Sequence, residues 1–162
     1  MANSNKVALI TGGTLGIGAT IANVLNASGV ACSVTGRAQN RPASIPEDIG
    51  HIPVDFLDED SVRHFVNECS ELVRPDILVN NAGINNKGRT VDFSFKDFSD
   101  ILSVNLSSTY RVTQACLPSM TEKRWGRIIN ITSVWSILGN ANNSAYCASK
   151  FAVDGFTASL AA

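Results

Sequence analysis

Tyr146 and Lys150 lie four residues apart, in the segment Tyr-Cys-Ala-Ser-Lys. On a helix that spacing puts both side chains on one face, one turn apart. A free phenol titrates near 10, too high to exchange protons readily at neutral pH. A neighbouring ammonium favours the phenolate and lowers that value, so the pair is a candidate general acid–base. With two tyrosines in 162 residues, the spacing arises by chance about 6% of the time, so it needs a scaffold to carry meaning.

A second cluster supplies one. Thr11-Gly-Gly-Thr-Leu-Gly16-Ile-Gly18 lies directly between the apolar run Val7–Ile10 and a stripe of Ile17, Ile21, Val24 and Leu25 at helical spacing. A strand, a glycine turn and a helix in that order form a dinucleotide-binding context. The glycines let the backbone approach a pyrophosphate, and the helix start offers free N–H groups and partial positive charge. A third cluster, His51, Asp55, Asp58, Glu59, Asp60 and His64, is rich in metal-ligand types. It has no His-x-x-x-His or related spacing, and consecutive acids before a helix are ordinary first-turn residues, so no metal is expected.

The elements that must position these residues alternate along the chain. Strands are expected at Val7–Ile10, Val30–Thr35, Ile52–Phe56, Ile77–Val79 and Arg127–Thr132. Gly29 is the expected stop of the first helix. Asp58 is placed to cap a second helix with the stripe Val62, Phe65, Val66, Cys69, Leu72 and Val73. A long helix is expected from Phe95 to Lys123 and a last one from Ser144 to Leu160. Pro42 and Pro46 leave Arg37–Gly50 a loop. Alternating strands and helices give a doubly wound α/β fold, a Rossmann-like parallel sheet covered on both faces.

Composition narrows the classes further. Hydrophobic content of 44% and charged content of 17% describe a globular chain, and its length suits one domain, 1–162. A formal net charge of −1 gives no reason to expect nucleic acid or an anionic membrane as partner. Residues 7–36 carry no charge, but six glycines with Asn23, Asn26 and Ser28 break the run, so it is not read as a membrane span. The start, Met1–Lys6, lacks a signal-peptide core. Cys32, Cys69, Cys116 and Cys147 are widely spaced and form no CxxC pair. Reduced thiols in the cytoplasm are the expectation.

The spacing TGxxxGxG, followed in order by Asn80-Asn-Ala-Gly83, Asn105, Ser133 and Tyr146-x-x-x-Lys150, resembles the short-chain dehydrogenases/reductases across the whole chain. The resemblance implies an oxidoreductase that transfers hydride between a nicotinamide cofactor and a ketone or secondary alcohol. Gly12, Thr14, Leu15, Gly16, Ile17, Gly18, Asn81, Ala82 and Gly83 would line the cofactor, with Asp55 and Phe56 at the adenine. Tyr146 would be the general acid or base. Lys150 would hold the nicotinamide ribose, Ser133 the substrate oxygen, and Asn105 a water that relays protons from Lys150. The residues themselves also allow plainer roles: a strand end for Ser133, a helix kink for Asn105, a helix start for Tyr146 and a helix cap for Asp55.

Val34-Thr35-Gly36-Arg37 ends the second strand without the carboxylate that would bind an NAD ribose, and Arg37 could hold the extra phosphate of NADP. NADP is therefore favoured over NAD, although Leu15 replaces a basic residue frequent in NADP-binding relatives. Ile84–Lys87 and Val134–Asn143 should border the substrate. The motifs look like those of members that reduce 3-oxoacyl chains and small or cyclic ketones. The family is about half as long again, so the chain is expected to be a C-terminally incomplete domain lacking strands, part of the nicotinamide pocket and a lid. A homodimer or homotetramer through the long helix and the Tyr146 helix is implied. The alternatives are a non-catalytic nucleotide-binding module and, ranked lower, a nucleotide-sugar epimerase or dehydratase, whose glycine spacing is TGxxGxxG.

Overall fold

In the computed structural model, which describes residues 6–162, five short strands form one parallel sheet. They are β1 (Val7–Ile10), β2 (Ala31–Gly36), β3 (Gly50–Pro53), β4 (Ile77–Asn80) and β5 (Arg127–Asn130), in the order β3-β2-β1-β4-β5. All four pairings are parallel. The helices are α1 (Gly16–Ala27), α2 (Glu59–Glu68), α3 (Phe95–Leu102), α4 (Ser108–Glu122) and α5 (Ser144–Leu160).

Strand alternation explains the two layers. Ala8, Ile10, Ile77 and Val79 face one side, where they pack with Ala22, Val30, Cys32 and Val34. Leu9 and Leu78 face the other, against Phe65, Cys69, Val112, Cys116 and Met120. Successive residues of a strand point to opposite faces, and here both faces are covered. The sheet is a doubly wound, Rossmann-like α/β structure. Strand order reverses between β1 and β4, and the crevice beyond their carboxyl ends is where such sheets bind ligands.

Several local expectations needed correction. On α1, Ile17 and Val24 are exposed at 65% and 60%, while Gly18 and Ala22 form the buried face. Small residues let this helix lie close to the sheet, and only Ile21 and Leu25 of the expected stripe pack on the core. Asp58 does cap α2, accepting from Asp60 N at 3.0 Å. The helix then widens into a π-helical turn, Cys69–Val73. Its extra residue rotates Leu72 out of the expected stripe to 75% exposure. The expected third strand ends sooner, at Pro53, because the chain turns at Asp55, whose carboxylate accepts from Leu57 N at 3.0 Å. β5 likewise stops at Asn130 rather than Thr132.

The helix expected from Phe95 to Lys123 spans Phe95–Glu122 but is interrupted by a second π-helical turn, Ser103–Ser107. Arg37–Gly50 has no helix, and α5 has the expected limits. Gly29, at φ +84°, follows α1 in the left-handed conformation typical of a helix stop. Among the described residues, no helix is long and apolar enough to cross a membrane.

Candidate active site

The glycine turn is fastened to the sheet by two threonines. Thr35 Oγ1 accepts from Gly12 N at 3.0 Å, and Gly13 N donates to Thr35 O at 3.0 Å. Thr11 Oγ1 accepts from Asn81 N at 3.0 Å and from Ala82 N at 3.1 Å. Asn81 Nδ2 returns two bonds of 3.0 Å, to Thr11 O and Gly12 O. The turn after β1 and the turn after β4 are thereby locked together at the reversal of strand order. Their approach leaves no room for side chains. A Cβ on Gly12, where φ is +62°, would lie 2.9 Å from Ala82 Cα, and one on Gly18 would lie 2.6 Å from Gly12 O.

A cleft of about 200 Å³ opens beside this junction. Among its lining residues are Gly12, Thr14, Arg37, Asp55, Phe56, Ala82 and Gly83, all singled out from sequence. Leu15, Gly16, Ile17, Gly18 and Asn81 do not line it. Leu15 and Ile17 point their side chains to solvent, and the first-turn N–H groups of α1 are what this stretch can offer a ligand. Arg37 is exposed at the cleft edge and makes no ion pair among the described residues. Asp55 is no helix cap. Its carboxylate closes a local turn, and its N–H donates to Ser61 Oγ at 3.0 Å.

The Tyr146–Lys150 pair lies across the same junction. Tyr146 and Lys150 share one face of α5, with Lys150 Nζ 5.7 Å from the centre of the Tyr146 ring. Lys150 is 5% exposed and donates to Ile131 O at 2.8 Å. Burial holds its pKa below the ordinary lysine value, against a smaller opposing pull from Asp154. A Cβ on Gly83 would lie 3.8 Å from Lys150 Nζ and 3.3 Å from Asn105 Oδ1. The cleft therefore reaches Lys150 at Gly83, with Tyr146 one turn away on α5.

Asn105 sits in the second π-helical turn and is 1% exposed. Its amide is fully engaged: Oδ1 accepts from Ile84 N at 2.8 Å, and Nδ2 donates to Ile84 O and Ser149 Oγ, both at 3.0 Å. Ser133 begins the short 3₁₀ turn Val134–Ser136, where its hydroxyl accepts from Trp135 N at 3.2 Å. It stands two residues beyond the carbonyl that Lys150 binds.

The sequence reading missed Thr11, Thr35, Ser149 and the Ile131 carbonyl. Thr11 opens the glycine motif and Ser149 precedes Lys150, so only their adjacency could have drawn attention to them. Of the acidic cluster, Glu59 pairs with Arg111 at 2.8 Å and Asp60 with Arg63 at 2.8 Å, while Asp58 caps α2. A larger groove of about 740 Å³ runs along β5 between α4 and α5, and it contains none of the predicted site residues.

A parallel sheet with a glycine turn at its strand-order reversal, and a buried lysine one turn from a tyrosine beside it, defines an α/β architecture of the dinucleotide-binding type. A sequence model of the short chain dehydrogenase family matches residues 6–162. The chain belongs to that family. It is 39% identical, over 96% of its length, to the 3-oxoacyl-acyl-carrier-protein reductase FabG of Aquifex aeolicus. It is 37% identical, over 98%, to nodulation protein G of Rhizobium sp. strain N33. It spans 66% of the length of each of these relatives.

Among solved structures, it superposes with a TM-score of 0.92 and 30% identity on a Beutenbergia cavernae chain assigned as an NAD(P)-dependent gluconate 5-dehydrogenase. That chain carries NADP at low occupancy, and the match covers 99% of this chain and 67% of that one. A chain described as a betaketoacyl-ACP reductase gives a TM-score of 0.90 at 33% identity, covering 98% of this chain and 66% of that one.

Proposed function

We propose that the protein is an NADP-dependent reductase of ketones, of the 3-oxoacyl type, working reversibly on secondary alcohols. The observation that carries this reading is that the glycine-turn cleft reaches Lys150 at Gly83, where an added Cβ would lie 3.8 Å from the lysine nitrogen, with Tyr146 one turn away on the same helix face. The cofactor supplies the hydride and, when oxidised, a positive ring. Its fit rests on the cradle that side chains at Gly12 and Gly18 would fill, and on the N–H groups of α1 for its pyrophosphate. Thr14 and Arg37 stand at the cleft edge, where a ribose phosphate would find an unpaired guanidinium. The named relatives that reduce 3-oxoacyl substrates support the substrate class.

In this reading Tyr146 gives its phenolic proton to the substrate oxygen, which the Ser133 hydroxyl holds in place. Lys150, one turn along the same face of α5, would bind the nicotinamide ribose. The proton relay expected at Asn105 would run through a water that its side-chain amide does not hold, since that amide is committed to Ile84 and Ser149. A second copy would associate through α4 and α5, where the tilted Tyr110 and Phe156 rings meet with centroids 5.7 Å apart and Tyr110 and Phe151 are about half exposed.

Titration with NADPH and NADH, followed by nicotinamide fluorescence, tests the cofactor assignment. Tighter binding of NADPH, with the preference lost in Arg37→Ala, is expected. Turnover of ethyl acetoacetate by wild type and not by Tyr146→Phe tests the chemistry. NADPH binding without turnover of any 3-oxo ester would favour the non-catalytic nucleotide-binding module instead.

A further inference from the structure

Ser149 belongs to none of the roles above, yet it is fully buried beside them. Its Oγ donates to Tyr146 O at 2.7 Å and accepts from Asn105 Nδ2 at 3.0 Å. Asn105 in turn grips both backbone groups of Ile84, the residue after Gly83. One line of hydrogen bonds therefore runs from the cleft loop, through the π-helical turn, to the first turn of α5 that carries Tyr146.

We propose that Ser149 is a positioning residue, which holds the Gly83–Ile84 loop at a fixed distance from the Tyr146–Lys150 pair by clamping Asn105 against α5. The proposal rests on the reductase reading for its consequence, but not for its geometry. The Asn105 amide has two N–H donors, and the structure gives each one acceptor. Without the serine hydroxyl, one donor is buried and unpaired, and the amide gains by turning away from Ile84. Ile84 lies in a segment without regular structure and is 38% exposed. Its N–H is therefore protected from solvent exchange by Asn105 rather than by a ladder or a helix.

The α4 helix provides a matched control. Ser119 is also buried and its hydroxyl also donates to the carbonyl three residues back, Cys116 O at 3.0 Å, but among the described residues that hydroxyl ties nothing else. Ser149→Ala and Ser119→Ala are compared by amide hydrogen exchange at Ile84 and by the pH profile of kcat with NADPH and ethyl acetoacetate. The expected result for Ser149→Ala is exchange at Ile84 at least fivefold faster, kcat at least fivefold lower with the KM for NADPH unchanged, and a shifted pH profile. Ser119→Ala should show none of these at a comparable melting temperature.

Unchanged protection of Ile84 in Ser149→Ala overturns the clamp. So does a fall in kcat that Ser119→Ala reproduces. Wild-type protein that reduces no 3-oxo ester sinks the reductase reading instead, and the exchange comparison still decides whether Ser149 holds the loop.

Discussion

Replacing Gly18 by alanine adds one methyl group where α1 comes closest to the β4 turn. That carbon would sit 2.5 Å from Asn81 Nδ2 and 2.6 Å from Gly12 O, against an ordinary contact of 3.4 Å or more. The helix start must retreat by roughly 0.8–0.9 Å, or Asn81 must swing away, and either movement strains the lock between the two turns. Overpacking of this kind costs about 1–3 kcal/mol, which lowers the melting temperature of a domain this size by roughly 3–10 °C. The retreat also carries the N–H groups of α1 away from a pyrophosphate. Losing one charge-assisted bond, worth about 1.5–3 kcal/mol, weakens NADPH binding by roughly 10- to 150-fold. The matched control is Gly155→Ala, on an open part of α5 with nothing within 4 Å of the new carbon, where stability should rise by about 0.5–1 kcal/mol. Thermal melts and NADPH titration of both variants give the answer. Wild-type melting and NADPH affinity within twofold in Gly18→Ala would refute the close-approach argument.

Asp76 is 5% exposed, accepts from Val7 N at 2.9 Å, and lies 3.2 Å from Lys123 Nζ and 3.8 Å from Lys6 Nζ. Burial pushes its pKa up, but the Val7 N–H and the two lysines outweigh that and hold it below the usual carboxylate value. A depressed folded-state value means the stabilisation is present above the unfolded pKa and lost as pH falls through the folded one. Asp76→Asn should therefore cost about 1–3 kcal/mol at neutral pH, and its melting gap from wild type should close in acid below pH 3.8. Lys150 is also depressed in the folded state, but it is a cation, so at neutral pH its burial costs stability where the Asp76 carboxylate adds it. Its folded-state pKa lies below 10.5, so the unfolded chain holds more protons between the two values and wild-type stability rises with pH in that window. Lys150→Met should be more stable than wild type at neutral pH, lose that advantage as pH climbs towards 10.5, and have no measurable turnover. An advantage that does not change with pH would contradict the assigned burial cost. Arg37→Ala should weaken NADPH binding by roughly 10- to 100-fold, the value of a charge-assisted phosphate pair, and leave NADH binding unchanged. Equal losses for both cofactors would place Arg37 elsewhere.

What could be read from sequence followed from local physics. Val7–Ile10 and Ile77–Val79 are short apolar runs bounded by turn residues, and a strand buried on both faces needs little more than that. Tyr146 and Lys150 share a face because helical spacing alone decides it. The glycine turn was legible because its residues are consecutive. Positions set by contacts between distant segments were hidden. Nothing near Asn105 in the chain signals that its amide will be used up by Ile84, 21 residues earlier, and by Ser149, 44 residues later. The exposed Leu72 was misread because a π-helical turn adds a residue to the helix without changing its apolar pattern. Ile17 fits a helical stripe perfectly well, but the fully buried line of α1 is Gly18 and Ala22, with Ile21 and Leu25 packing at its margin.

These misses share a cause that bears on the site. The sequence supplies the groups that touch a ligand or a proton, because each must be a particular chemical type at a particular turn. It does not supply the groups that hold those turns in register. Thr11 joins the β1 turn to the β4 turn, Thr35 joins β2 to Gly12, and the Ile131 carbonyl fixes the buried ammonium of Lys150. Each is an ordinary residue whose function lies in its partner. Thr11→Val separates the two kinds of contribution. It keeps the shape of the side chain and removes the one oxygen that accepts from both Asn81 N and Ala82 N. Two N–H groups would then lack a partner, at about 1–3 kcal/mol each if they stay buried. Because the Asn81–Gly83 turn carries the cleft wall, the variant should bind NADPH more weakly by an order of magnitude or more without altering any group proposed to touch it. A Thr11→Val protein that melts lower yet binds NADPH as wild type would show that the cleft wall holds its place without the threonine, and that the lock between the turns contributes to stability alone.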